Sequence, residues 1–225
     1  FIGTVDAQGA LNLYDGKLRL MKADGSYTDF AAKDYANYIG EHVEPNSYGK
    51  YPYARFWNEG FSMDLEHPKG IYRANTLARI NVADKMATPR AQAELEEFRS
   101  LFGRPAQATL LYHYAPLIEE VYACERAIEI LKDPEITDPN VRAKAEPKAG
   151  RGVGCVEAPR GTLIHDYTTD QNGLIAHANM IVGTTHNLGP MNMSVNQAAR
   201  TLIKDGQVDE GILNQIEMAV RAYDP

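Results

Sequence analysis

The sequence predicts a mainly α protein with α+β elements: a helical core, a small N-terminal β-meander, and a β-hairpin that carries the candidate site. Three observations lead to this fold class. The first thirty residues alternate apolar and polar side chains, later stretches place apolar residues at helical spacing, and an Asn-Gly pair stands between two apolar runs. We expect residues 1–225 to form one domain that is a fragment of a larger protein.

The N-terminal part supplies strands and one short helix. Breaks at Asp15-Gly16 and Asp24-Gly25 separate three strands of an antiparallel meander. A short helix is expected over 30–39, ended by Gly40. Residues 41–60 are dense in Tyr, Pro, Phe and Trp and follow neither period, so we predict a long aromatic loop that covers a neighbour or lines a site.

The later sequence supplies the helices. A Thr-Pro start and a Gly stop predict a helix over 88–103. A longer helix spans about 107–131, with Pro116 at its start or at a kink. A capping box at Ser194-x-x-Gln197 opens a helix that continues to about residue 203, and a last helix covers about 210–222.

One hairpin brings two polar segments together. Asn172-Gly173 is a strong signal for a two-residue turn between strands. With that turn, Arg160 pairs with Thr185, and Gly161 pairs with Thr184. A guanidinium and two hydroxyls then meet at one end of a β-ribbon, which makes a polar site.

Composition and charge argue against several functions. Thirty acidic and 23 basic residues give a net charge of -7 without a basic cluster, so we expect no nucleic-acid partner. No apolar run approaches the roughly 20 residues that span a bilayer, and no targeting signal is visible. Cys124 and Cys155 form no Cys-x-x-Cys pair, which suits a reducing cytoplasm and cannot supply a tetrathiolate metal site or an iron-sulfur cluster.

Several motifs together resemble one known family. The site segments are 157–161 (Glu-Ala-Pro-Arg-Gly), 183–187 (Gly-Thr-Thr-His-Asn) and 221–225 (Arg-Ala-Tyr-Asp-Pro). Supporting matches are Tyr14–Arg19, Tyr72-Arg73, Leu77–Val82, Tyr112–Ala115 and Ile164–Tyr167. They resemble the large subunit of nickel-iron hydrogenases of the cytoplasmic, bidirectional type. The sequence departs from the family pattern at Ala74-Asn75-Thr76, where a Gly-Pro usually stands, and at Leu188-Gly189-Pro190.

The end of the sequence resembles the family's closing motif, cut one residue before its first cysteine. In the family that motif continues with Cys-x-x-Cys and supplies two of the four thiolates that hold nickel and iron. The resemblance therefore implies a C-terminal half whose thiolate ligands lie outside this sequence.

The resemblance also implies roles for five residues. Arg160 would stand over the nickel-iron centre as a base or orienting charge, and polarisation is favoured because a guanidinium pKa exceeds about 12. Pro159 would help enclose the diatomic ligands, and Thr184 would donate a hydrogen bond to a cyanide on iron. Asp224 would belong to a carboxylate canopy above the metals. Met180 would offer its backbone carbonyl to a buried Mg²⁺ or a similar hard ion.

The implied activity is the reversible heterolytic cleavage of H2 at a nickel-iron centre with CO and CN ligands. Electrons would pass first to a small iron-sulfur subunit, then to subunits of the diaphorase or heterodisulfide reductase type. Two alternatives remain. One is the nickel-free quinone-site subunit of respiratory complex I, against which the Pro-Arg-Gly segment and Asp224-Pro225 argue. The other is a non-catalytic assembly module.

The site residues also have purely structural interpretations. Arg160 could pair with Glu157 and tie the hairpin, and such surface ion pairs are individually weak. Thr184 could be an ordinary strand threonine with a local backbone bond. Asp224 could belong to a loop after the last helix.

Other candidate chemistry in this region is weaker. Cys155 could be a nucleophile, but a buried inert thiol is favoured. Gly150–Gly154 imitates a phosphate loop without the βαβ context that such a loop requires, so we interpret it as a flexible approach to the hairpin. We expect His165, His177 and His186 to be structural histidines.

Overall fold

The fold combines helices with small antiparallel sheets, as the sequence predicts. The structure is a computed structural model that describes residues 1–224. In this range the strands are β1 (Ile2–Val5), β2 (Lys17–Met21), β3 (Tyr27–Phe30), β4 (Ile39–Val43), β5 (Lys50–Ala54), β6 (Gly150–Ala158), β7 (Gly161–Thr169) and β8 (Ile175–Ile181). The α-helices are α1 (Tyr35–Tyr38), α2 (Thr76–Val82), α3 (Pro89–Phe102), α4 (Ala115–Ile130), α5 (Gly183–His186), α6 (Leu188–Leu202) and α7 (Glu210–Arg221). The predicted fold class is confirmed, whereas the single domain stays a prediction.

The N-terminal meander lies where the sequence predicts it. β1, β2 and β3 pair in order and antiparallel, and Asp15-Gly16 and Asp24-Gly25 fall in their connections. The apolar residues of β1 and β2, such as Ile2, Leu18 and Leu20, are almost completely buried. Alternation over a few residues is therefore enough to locate these strands.

Residues 30–60 differ in part from the prediction. The helix expected over 30–39 is present over 32–38, as a 3-10 turn at Ala32–Asp34 followed by the single turn of α1, and Ile39 begins a strand. The expected aromatic loop at 41–60 contains most of the β4–β5 hairpin. Gly40 and Tyr53 are cross-strand partners, and a Cβ at Gly40 would lie 2.5 Å from the Tyr53 ring. The hairpin thus depends on close packing between strands, which no sequence period reveals.

The helical core is built from α2, α3 and α4. The helix predicted over 88–103 is confirmed as α3, and Gly103 follows its last residue with φ 74°. The helix predicted over about 107–131 is shorter than expected. Residues 109–113 form a 3-10 turn, and α4 begins at Ala115 with Pro116 in its first turn. The core between these helices includes Leu77, Ile80, Leu95, Phe98, Tyr112 and Ile118.

Helix α2 is not predicted from the sequence. All seven of its residues are buried, including Arg79 and Asn81. A helix that is buried on every side has no polar face, so it lacks the amphipathic period by which helices are located. This omission matters because α2 borders the candidate site.

The C-terminal sheet has three antiparallel strands in the order β6-β7-β8. The glycine-rich segment 150–154, expected to be a flexible approach, belongs to β6 and pairs with β7. Its alternate glycines lie opposite Thr169, Tyr167 and His165. This segment is a strand because its backbone pairs with that of β7, and its side-chain pattern does not indicate a strand.

The turn of the predicted hairpin is one residue longer than expected. The Gly173 N–H donates to the Asp170 carbonyl (3.0 Å), so residues 171–173 form the turn and Gly173 has φ 77°. A bulge between Thr168 and Thr169 compensates for the extra residue. The pairs from Ile164–Ile181 to Thr168–His177 are consequently those that a two-residue turn would give.

The two C-terminal helices are only partly as predicted. The last helix is confirmed as α7, opened by the Asp209 carboxylate, which accepts from the Ile212 N–H (2.8 Å). The capping box at Ser194 is wrong, because α6 begins at Leu188 and Ser194 lies inside it. The Ser194 hydroxyl instead hydrogen-bonds with the Tyr223 hydroxyl (2.9 Å). None of the helices in residues 1–224 combines the length and apolarity that a membrane crossing requires.

We predict that Gly173→Ala lowers the free energy of unfolding by about 1 kcal/mol or more, because Cβ-bearing residues are disfavoured at positive φ. The control is Gly152→Ala in β6, where an added Cβ meets no atom within 4 Å. That change should be neutral or should raise the free energy of unfolding by about 0.4–1 kcal/mol, because alanine lowers the conformational entropy of the unfolded chain. Urea unfolding measures both, and equal effects would contradict the three-residue turn.

Candidate functional site

Arg160 stands at the tip of the turn that joins β6 and β7. Ala158 and Gly161 are cross-strand partners, so Pro159 and Arg160 are the two turn residues. Gly161 has φ 130°, and a Cβ there would lie 2.8 Å from the Ala74 Cβ. A glycine is therefore required for this turn to lie against the segment that precedes α2.

The second polar segment meets this turn by backbone contact, and the predicted pairing of Gly161 with Thr184 is wrong. The ladder between β7 and β8 ends at Ile164–Ile181, before either polar segment is reached. A Cβ at Gly183 would lie 2.8 Å from the Arg160 carbonyl carbon. Thr184 follows in α5, half-buried, so the two segments adjoin although their residues are not cross-strand partners.

Arg160 contacts Asp224, the other predicted catalytic residue. The Arg160 Nε–H donates to the Asp224 carbonyl oxygen (2.7 Å), and Nε lies 3.3 Å from the Asp224 carboxylate Oδ2. The side chains are 51% and 63% exposed. The alternative pairing of Arg160 with Glu157 is wrong, because Glu157 is buried and bonds to Arg79 and to the hydroxyls of Thr4 and Thr162.

A buried arginine below the turn was not identified from the sequence. Arg79 donates through Nε and Nη2 to both carboxylate oxygens of Glu119 (2.7 and 2.6 Å) and through Nη1 to Glu157 (3.1 Å). It also donates to the carbonyls of Ala158 (2.8 Å) and Pro159 (3.1 Å). All five N–H groups of the guanidinium are thus used.

Burial alone would lower the pKa of Arg79, but the charges and hydrogen bonds of Glu119 and Glu157 outweigh it and raise the pKa. The guanidinium therefore remains charged. The only sequence signal for it is an arginine in the middle of the apolar run 77–82.

A cavity of about 540 Å³ with both apolar and charged lining residues opens beside these residues. Its lining includes Thr76, Arg79, Glu119, Glu157, Pro159 and Asp224. The Thr76 hydroxyl is buried and has no hydrogen-bond partner within residues 1–224. The cavity thus places charged and hydroxyl groups next to the Arg160–Asp224 contact.

Comparison with known proteins identifies the family. Residues 71–225 match the family described as nickel-dependent hydrogenase. This chain belongs to that family. The match covers α2, the C-terminal sheet and each of the site segments, so the hydrogenase resemblance seen in the motifs is confirmed.

Individual relatives agree with this family. A vhu subunit of the F420-non-reducing hydrogenase of Methanococcus voltae is 48% identical over 206 residues, which are 91% of this chain and 47% of that protein. The beta subunit of the NAD-reducing hydrogenase HoxS of Cupriavidus necator is 38% identical over 220 residues, which are 96% of this chain and 43% of that protein. The chain spans about half the length of the curated relatives it matches.

Solved hydrogenases share the fold. The crystal structure of an NAD+-reducing [NiFe]-hydrogenase in the H2-reduced state has a TM-score of 0.89 and 38% identity, covering 100% of this chain and 48% of that chain. The Ni-Fe-Se hydrogenase from D. vulgaris Hildenborough is 19% identical with a TM-score of 0.63, and it shares the fold.

The cysteines of this hydrogenase chain do not fit the primary ligands of a nickel centre. Cys124 is exposed on α4, whereas Cys155 lies in β6. Burial raises the pKa of the Cys155 thiol to about 12, and the Glu157 charge adds to this effect. Within residues 1–224, no group of three or more His, Cys, Asp or Glu side chains is arranged to hold a metal.

Met180 and the histidines lie on the C-terminal sheet or next to it. Met180 is the cross-strand partner of His165, and its side chain is half exposed. The His165 Nδ1 hydrogen-bonds with the Tyr167 hydroxyl (2.9 Å), whereas His177 is exposed. His186 is buried at the end of α5, and its Nδ1 lies 2.6 Å from the Tyr72 hydroxyl. Burial lowers the pKa of His186 to about 3, so the ring is neutral.

We predict that His186 makes stability fall as the solution becomes acidic. Its folded pKa of about 3 lies below the ordinary 6.5, so between these values the unfolded chain binds a proton that the folded one excludes. The free energy of unfolding should then fall by up to about 1.4 kcal/mol per pH unit below pH 6.5.

Urea unfolding at several pH values checks this slope. His186→Gln should remove this part of the slope, and His177→Gln, at an exposed position, should retain it. Equal slopes in the two variants would show that His186 is not the buried group responsible.

Proposed function

We propose that this chain is the C-terminal half of a nickel-iron hydrogenase large subunit, and that the intact protein catalyses the reversible heterolytic cleavage of H2. The observation that carries the proposal is the contact between Arg160 and Asp224, beside a cavity that charged residues help to line, in a chain of the nickel-dependent hydrogenase family. The family resemblance gives these two residues catalytic roles.

The chain would surround the metals rather than bind them through its own thiolates. When bound, a nickel-iron centre with CO and CN ligands supplies the metal ions at which H2 is polarised and cleaved. Pro159 would border the diatomic ligands, and the Thr184 hydroxyl would donate to a cyanide. The Met180 carbonyl would bind a hard cation such as Mg²⁺, which prefers oxygen ligands. Outer-shell groups of this kind orient a metal site and tune its reactivity.

Arg160 would act through a fixed charge. Its Nε–H is held by the Asp224 carbonyl, so the plane of the guanidinium is oriented while Nη1 and Nη2 can reach a bound group. An arginine remains protonated in proteins, so it polarises a substrate better than it removes a proton. The Asp224 carboxylate is the group of this pair that can accept and release a proton.

The partners follow from the same proposal. A large subunit would pass electrons to a small iron-sulfur subunit in the cytoplasm, and then to a diaphorase or a heterodisulfide reductase type of subunit. The names of the relatives support this, because they describe subunits of NAD-reducing and F420-non-reducing hydrogenases. The nickel-free complex I subunit is not favoured, because the relatives quoted above, at 38–48% identity, are hydrogenases. A pure assembly module would lack nickel and iron in the intact protein.

We predict that Arg160→Lys in the intact enzyme leaves the metal content unchanged and lowers the H2 oxidation rate by about 10²-fold or more. Lysine keeps the charge but loses the planar fork, and the loss of one preorganised donor has about this effect. The measurements are nickel and iron content, melting temperature and H2 oxidation rate on one preparation.

The matched control is Arg151→Lys in the same sheet. Arg151 is similarly exposed (48%, against 51% for Arg160) and pairs with Asp166 through two hydrogen bonds (2.9 and 2.8 Å). This variant should keep the wild-type rate. If Arg160→Lys also keeps full activity with full metal content, Arg160 has no catalytic role.

We also predict that residues 1–225 expressed alone bind no stoichiometric nickel. The two cysteines are separated in sequence, and the thiolates that nickel requires at this site would come from elsewhere. Elemental analysis after desalting is the measurement. One nickel per chain, retained in a variant without both cysteines, would show that other residues of this chain bind the metal.

A further inference from the structure

Helix α2 and its N-cap contribute two side chains, those of Arg79 and Asn75, that bond to the segments carrying Arg160 and Asp224. Asn75 is the N-cap of α2, and Arg79 lies one turn later, with its N–H donating to the Asn75 carbonyl (3.0 Å). Residues four apart lie on the same face of a helix. Both side chains are buried, and both donate to backbone carbonyls of other segments.

Arg79 holds the turn that presents Arg160. Its guanidinium donates to the carbonyls of Ala158 and Pro159, the two residues immediately before Arg160. Glu119 and Glu157 hold the other N–H groups of the same guanidinium. Because the guanidinium is planar and all its donors are engaged, the turn has one favoured position relative to α2.

Asn75 holds the segment that presents Asp224. Its Nδ2 donates to the carbonyl of Tyr223, the residue immediately before Asp224 (3.0 Å). Its backbone lies at φ 87° and ψ -175°, a region that favours glycine. The Asn75 Oδ1 accepts from the Thr76 N–H, so both ends of the side-chain amide are used. An asparagine kept in a conformation that suits glycine indicates that its side chain is needed there.

The contact between Arg160 and Asp224 cannot set its own geometry. Both side chains are more than half exposed, and exposed ion pairs are weak and screened by salt. We propose that Asn75 and Arg79 are positioning residues that fix the separation of Arg160 and Asp224. This inference rests on the proposed function, because it gives the two residues a part in that site.

The test uses three variants of the intact enzyme. Arg79→Lys replaces five donors with three, so at least two acceptors lose their partner. Asn75→Gly adopts the observed φ without strain and removes only the side-chain bonds. The control is Arg151→Lys in β6, because Arg151 also pairs with a carboxylate, that of Asp166, through two hydrogen bonds, and none of its hydrogen bonds reaches α2.

The readouts are backbone amide exchange by mass spectrometry, metal content and H2 oxidation rate. Arg79→Lys should raise exchange by about tenfold or more in peptides covering 158–161. Asn75→Gly should raise it in those covering 221–224 and leave 158–161 unchanged. Both should lower the H2 oxidation rate by about 10- to 100-fold with metal retained, as for outer-shell changes at metal sites. Arg151→Lys should leave the rate and both peptides at wild-type values.

The outcomes distinguish a failure of the positioning role from a failure of the proposed function. Wild-type exchange and rate in Asn75→Gly would overturn the role of Asn75, and the same result in Arg79→Lys would overturn that of Arg79. If Arg79→Lys does not fold, Asn75→Gly decides whether α2 positions the site. If the wild-type enzyme does not oxidise H2, the proposed function fails, and the exchange of the two peptides alone supports or overturns positioning by α2.

Discussion

The buried guanidinium of Arg79 is the interaction on which the site region depends. A charge removed from water is tolerated only when it is paired and its hydrogen bonds are complete. Here two carboxylates and two backbone carbonyls meet that requirement, and they come from α4 and from the end of β6 and its turn. The helical core and the C-terminal sheet are thereby joined at one point. Removing one partner of such a network typically costs about 3–5 kcal/mol, because the remaining charge stays buried.

A second buried arginine plays the equivalent role in the N-terminal sheet. Arg19 pairs with Asp29 and Asp84 and donates to the Val82 carbonyl at the end of α2. Helix α2 is therefore held by two arginine networks, that of Arg79 at the middle of the helix and that of Arg19, from a neighbouring strand, at its C-terminal end. Such pairs contribute more to a specific arrangement than to net stability, since desolvation offsets most of the attraction. A seven-residue helix can occupy a fixed place for this reason.

The parts of the fold that were predicted correctly carry their signal in neighbouring residues. The meander, α3, α7 and most pairs of the β7–β8 hairpin follow from local period, caps and turn residues. The parts that were missed depend on distant contacts. Helix α2 has no polar face, β6 is marked mainly by its pairing, and β4–β5 needs the fit of Tyr53 on Gly40.

In the candidate site, too, the residues that were missed are those whose contacts are distant in the sequence. The resemblance named Arg160 and Asp224, and the structure places them in contact. It did not identify Arg79 or Asn75, because a buried polar residue is recognised by its partners, and these partners are far away in the sequence. The predicted cross-strand pairing of Gly161 with Thr184 was wrong because the ladder ends early, yet the glycines at 161 and 183 still bring the two segments together.

The contrast in burial explains how the site can be both accessible and precise. Under the proposed function Arg160 and Asp224 face a bound group. Both side chains are more than half exposed, and exposed pairs have little energy with which to maintain a geometry. Arg79, Glu157 and Asn75 are at least nine-tenths buried. The hydrogen bonds of Arg79 and Asn75 end on the backbone immediately before the two exposed residues, so the main chain fixes where those residues lie. Arg160 and Asp224 therefore gain a defined position without being buried themselves.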